Sequence, residues 1–170
     1  MPNDPAGPSV DATQLPSPSA LLRAFGHSTD QDHPVLEAAS CLAHCHARRR
    51  TAVDAARDPA AGAASGQLLD DIDDTRATLI ARIDDWVAGN VAHRSGASLH
   101  TETLGAVIDR MAEKWIAAQQ ALGGDPLTRS TPRLREARTH MHWCRLAELT
   151  DGYRDLITDV TERRRRLPVW

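Results

Sequence analysis

Hydrophobic positions recur at spacings of three and four along four long stretches of this chain, and a period of two is nowhere sustained. That pattern predicts helices and no strands. In the first stretch Val35, Ala38, Leu42, Cys45, Arg49, Val53 and Ala56 share a face, between a cap at Asp32 or His33 and the stop at Pro59. The second starts near Ser65 and carries Leu69, Ile72, Arg76, Leu79, Ile83 and Trp86 at alternating three–four spacing, the seam positions of a heptad. The third runs from about Leu104 to Leu122, capped by Thr103, with the stripe Leu104, Val107, Met111, Trp115, Ala118 and Leu122. The fourth starts at Thr131–Pro132 and reaches about Arg165, with His142, Leu146, Leu149, Tyr153, Leu156 and Val160 on one face.

A short helix precedes them: Ser17 caps, Pro18 fits the first helical position and Gly26 stops it. Residues 1–16 hold four prolines and few large apolar groups, the composition of a disordered tail. The expected architecture is all-α, an up-and-down four-helix bundle with an additional short N-terminal helix, in one domain over residues 17–167.

Composition narrows the function. The net charge is −3 with histidines neutral, which argues against nucleic acid as a partner. The run Glu162–Arg166 is expected to end a helix, where cations suit the negative pole of the dipole. Three cysteines, no leader-like segment and no apolar run near eighteen residues predict a reduced, cytoplasmic protein with no membrane partner.

Arg76 is the misfit on these stripes. A guanidinium among Ile72, Leu79 and Ile83 needs partners, because an uncompensated buried charge costs about 3–5 kcal/mol. Asp73, one turn back, cannot satisfy five donors, so a carboxylate from another helix is expected. The candidates lie in HTETLGAVIDR, residues 100–110. Glu102 precedes the cap Thr103, Gly105 lets a second helix come close, and Asp109 and Arg110 follow within two turns.

ETLGAVIDR resembles the E-T-x-G-x-x-I-D-R signature of a bacterial all-helical domain family of unknown function. LDDIDDTRATLIARID at 69–84 is similar to that family's I-D-x-L-N-x-x-R-N-x-L-I-x-x-I-D, with Arg76 on its arginine. HARRRTAVDAAR at 46–57 resembles N-x-x-x-W-x-x-E-D-x-A-R, keeping Asp54, Ala56 and Arg57 and departing at Arg50 and Val53. The resemblance implies a shared fold and a shared polar cluster. It brings no reaction, and Val53 stands where the pattern has a glutamate that could act as acid, base or metal ligand.

Histidine and cysteine cluster twice, in CLAHCH at 41–46 and THMHWC at 139–144. Cys41, His44 and Cys45 share a helix face, and His140 and Cys144 repeat the spacing. Without the turn-borne ligand pairs usual for zinc, or paired Glu-x-x-His motifs for di-iron, no metal and no separate cofactor are expected. The cysteines lack the nearby helix start that would activate a thiol. His46, beside Arg50 and Arg57 on its face, is the better acid–base candidate.

The leading expectation is therefore a pocket between helices that binds a small polar or anionic molecule. Asp54, Arg57, Arg76, Thr103, Asp109 and Arg110 would bind or orient it, and His46 or Glu102 would move a proton. The competing expectation is a non-catalytic interaction module that docks a partner or forms a homo-oligomer.

Overall fold

A computed structural model describes residues 14–27, 32–57, 62–123 and 131–168, with the side chains of 62–64 left aside. Most of the expected tail and the stop at Pro59 lie outside these residues.

Five helices form: α1 (Pro18–Gly26), α2 (Pro34–Ala55), α3 (Gly62–Asn90), α4 (Leu104–Gly123) and α5 (Pro132–Thr161). All-α is thus the fold class. Three caps use the expected residues, Thr103 of α4 among them. Ser17 Oγ accepts from Ala20 N at 3.2 Å, and His33 Nδ1 accepts from Val35 N at 3.2 Å. With Nδ1 accepting, Nε2 carries the proton of His33 and donates to the Gln14 carbonyl at 2.8 Å.

The predicted stripes face the core. Ile72, Leu79 and Ile83 of α3, Leu104, Val107 and Met111 of α4, and Leu146, Tyr153, Leu156 and Val160 of α5 are all buried. Leu122 departs from its stripe and is 62% exposed. In α2 the predicted face is buried through Val35, Ala38, Leu42 and Cys45 but not at Val53, which is 38% exposed, and a second buried face forms from Leu36, Ala39, Ala43 and Ala52. The reason is that α2 touches α1, α3 and α4 at once, and alanines let three neighbours come near.

Individual contacts give the helix directions. Glu37 pairs with Arg82 and Arg49 with Asp73, so α2 and α3 run oppositely. Asp84 meets Gly105 and Arg76 meets Asp109, so α3 and α4 do too. Thr139 donates to the Ala121 carbonyl and Trp115 meets Trp143 edge-on, which sets α5 against α4. α2, α3 and α4 each pack on the other two, while α5 lies on α4 with a smaller contact to α1. Among the described residues α5 has no comparable contact with α2 or α3.

Two local features differ from expectation. α5 stops at Thr161 rather than near Arg165. Arg163 takes a left-handed φ of 58°, Arg163 N donates to Val160 O and Arg164 N to Asp159 O, the Schellman closure of a helix end. The chain then extends, and Arg165–Arg166 (β2) pairs in parallel with Ser98–Leu99 (β1). These two residues a side are too short for periodicity to betray them. The arginine run therefore lies beyond the helix, where Arg164 and Arg165 both reach Asp159.

Candidate functional site

Five side chains from three helices form one continuous charge network. α2 contributes His46 and Arg49, α3 contributes Asp73 and Arg76, and α4 contributes Asp109. Arg76 Nε and Nη2 donate to the two oxygens of Asp109 at 3.2 and 2.6 Å, and its Nη1 donates to Asp73 Oδ1 at 2.8 Å. Every nitrogen of that guanidinium is committed. Asp109 also takes a hydrogen bond from His46 Nε2 at 2.8 Å, and Asp73 takes Nε and Nη2 of Arg49 at 3.0 and 3.3 Å.

The electrostatics follow from this geometry. Burial pushes the Asp109 carboxyl up, but the hydrogen bonds and charges of His46 and Arg76 outweigh it and hold it below the ordinary aspartate value. Hydrogen bonds from Arg49 and then Arg76 lower Asp73. The bond to Asp109 raises Arg76 further. The side chains of His46, Asp109 and Arg76 are 8, 13 and 23% exposed, so the centre of the network is largely out of water and its rim, Arg49 and Asp73, is half in it.

One end of the network opens into a cleft of about 260 Å³ between α2 and α4, lined by His46, Arg49, Arg50, Asp54, Arg57 and Glu113 among others. His46 and Arg49 are each held from behind by an aspartate. Nδ1 of His46 and Nη1 of Arg49 have no hydrogen-bond partner among the described residues. Arg50 makes no ion pair among them, and Arg57 meets Asp54 only loosely at 3.6 Å on the exposed rim. A larger groove, about 730 Å³, runs between the end of α4 and the start of α5 past Thr139, His140 and Trp143. The charge network does not reach it.

Of the eight residues expected in one pocket, the structure gathers His46, Asp54, Arg57, Arg76 and Asp109 at or behind the cleft. Glu102 and Thr103 sit elsewhere, just before α4, and Arg110 turns its guanidinium back to Glu102. Leu104, the first residue of α4, and Glu113 are about 14 Å apart along the helix axis at 1.5 Å per residue. Glu102 accepts from Arg110 Nη1 at 2.8 Å. Thr103 Oγ1 caps α4 by accepting from Ala106 N at 3.2 Å, and Asp84 of α3 accepts from Gly105 N at 2.8 Å. Burial raises the Asp84 carboxyl, against the lowering effect of the Gly105 and Thr103 hydrogen bonds. A Cβ on Gly105 would lie 2.6 Å from the Ile80 carbonyl oxygen, so the glycine is what lets α3 and α4 touch. This junction holds helices together, and its polar groups serve one another apart from Arg110 Nε, which is buried without a hydrogen-bond partner among the described residues.

Sequence reasoning left Arg49, Arg50 and Glu113 out of the site. Arg49 stood on the apolar stripe of α2, as anomalous there as Arg76 on α3. Glu113 lies one turn beyond Asp109 on the same face. Those were the signals. The histidine–cysteine stretches do not assemble. Cys45 is buried, which raises its thiol, while Cys41 and Cys144 are exposed. Among the described residues Cys144 meets only His140, at 3.4 Å. Among the described residues no group of three or more His, Cys, Asp or Glu is placed to hold a metal ion. Burial and the charges of Arg145, Arg50, Arg138 and Lys114 lower His142.

Among known families, one described as "Protein of unknown function (DUF4254)" matches residues 37–169. That span holds all five network residues and every residue of the cleft, and excludes α1. No curated protein and no solved structure matches the chain.

Proposed function

The chain belongs to the DUF4254 family of proteins of unknown function, and we propose that it binds a small anionic molecule in the α2–α4 cleft, with His46 placed to accept or donate a proton on it. The carrying observation is that two cleft-facing cationic or basic groups are each fixed from behind by an aspartate, and that Arg76 ties both aspartates together. A histidine whose one ring nitrogen is held by a carboxylate presents the other in a set direction. Arg49, with its Nε edge on Asp73, presents Nη1 as a preset anion donor. Arg76 and Asp109 are positioning residues in this reading, and Asp54 and Arg57 form the rim. Glu102, Thr103 and Arg110 support the α3–α4 contact instead of the chemistry.

The scaffold is an open version of an up-and-down four-helix bundle, α2 to α5, with α1 laid across it. No described helix is long and apolar enough to cross a membrane. The three free cysteines suit a reducing, cytoplasmic setting.

The test is calorimetric titration of the full chain with phosphate, sulfate, acetate and hydroxylated acids. At least one should bind, and Arg49→Gln or His46→Gln should weaken it roughly tenfold or more, the worth of one charge-assisted hydrogen bond. Binding untouched by both substitutions, or no binding at all, overturns the reading.

A second reading, a docking or self-associating module, is favoured by one observation. Leu122, Leu134 and Met141 are 62, 62 and 42% exposed where α4 ends and α5 begins. Light scattering at rising protein concentration separates the two. A mass that grows, and falls back in Leu134→Glu, supports association.

A further inference from the structure

The cleft holds charges of both signs. Arg49, Arg50 and Arg57 face it, and so do Glu113 and Asp54. The two carboxylates have little else to do. Among the described residues Glu113 reaches only its sequence neighbour Lys114, at 3.1 Å, and Asp54 only Arg57, at 3.6 Å. Each retains accepting lone pairs, since a carboxylate has about four such sites.

A bare anion seated on Arg49 and Arg50 would meet repulsion from Glu113 across the cleft. An anion that brings its own donors would meet acceptors there instead. Resting on the anion-binding reading above, we propose that the ligand is a small bifunctional acid. Its carboxylate or phosphate sits on Arg49, Arg50 and His46, and hydroxyl or ammonium groups on the same molecule donate to Glu113 and Asp54. Because α2 and α4 run the same way from the His46–Asp109 contact, the anion lies at the network end and the donors towards Asp54.

The experiment compares matched probes on the full chain by calorimetry: phosphate against glucose 6-phosphate, and acetate against glycine. The first pair adds hydroxyls and the second adds an ammonium group. In at least one pair the bifunctional probe should bind roughly tenfold tighter, because a hydrogen bond to a charged acceptor is worth about that much. The pair that shows it identifies the donor. Glu113→Gln and Asp54→Asn should shrink the preference, weakening the bifunctional probe and tightening the simple anion. Both positions are largely solvent-exposed, and circular dichroism checks that the variants fold. Simple anions that bind as tightly as their bifunctional partners, or a preference that survives both substitutions, would overturn this inference and leave the anion site standing. Silence from all four probes would remove both.

Discussion

Arg76 carries the heaviest consequences of any single side chain. Its guanidinium is spread over two aspartates that in turn hold His46 and Arg49, so Arg76→Met strands Asp109 in a poorly hydrated place. The expected loss is roughly 2–3 kcal/mol, below the full cost of breaking a buried pair because the arginine keeps some solvent. Urea midpoints measure it, and a loss under about 0.5 kcal/mol would place the network at the level of ordinary surface pairs. The pH dependence has a definite sign. Asp109 and Asp73 are lowered in the fold, so their contribution is complete above the ordinary aspartate value, about 3.9, and is lost as pH falls below it. The gap in Tm between wild type and Arg76→Met should therefore be widest near neutrality and close between about pH 4 and pH 2. Arg76 was legible in the sequence because a charge interrupting an apolar stripe demands compensation. Its companion Arg49 sits in the same kind of position, yet which carboxylate it finds depends on how far α2 is rotated against α3, and no spacing within either helix fixes that.

Between elements, the contact of α3 with α4 turns on Gly105. Alanine there would gain about 1 kcal/mol of helix propensity. Its methyl would also press on the Ile80 carbonyl oxygen at 2.6 Å and on Asp84 Oδ1 at 2.9 Å. The first is backbone and cannot swing aside, so the helices must part, at a cost of about 1–3 kcal/mol. Overpacking outweighs propensity, and Gly105→Ala should destabilise by up to about 2 kcal/mol in chemical unfolding. It should leave the cleft's anion affinity nearly unchanged, since the junction and the cleft are separate. The glycine's role could be read from sequence, as could all five helices and most of their faces, because a 3.6-residue period and proline or serine caps are local signals. The end of α5 could not. A left-handed arginine at 163 and a two-residue strand depend on where Ser98–Leu99 lies in space.

At the scale of the whole molecule, α2 is the hub, and the stretch before α1 is tied down by contacts remote in sequence. Tyr153, buried in α5, donates its hydroxyl to the Pro16 carbonyl at 2.8 Å, 137 residues away. Burial also raises its phenol well above the ordinary value. His33 grips Gln14 two residues earlier and packs its ring near Trp86. Tyr153→Phe orphans the Pro16 carbonyl and should cost about 1–2 kcal/mol. Amide exchange should quicken across α1 more than across α3 and α4, and uniform quickening would show that α1 is no separate unit of stability. No periodicity could have announced that tether, since it joins a coil residue to a tyrosine that sequence reasoning had only placed on an apolar face. It also imposes an order on biosynthesis. Pro16 is made 137 residues before Tyr153, so its carbonyl must wait for α5 before it meets the phenol, and a nascent chain truncated before α5 would carry α1 unlatched and within reach of chaperones.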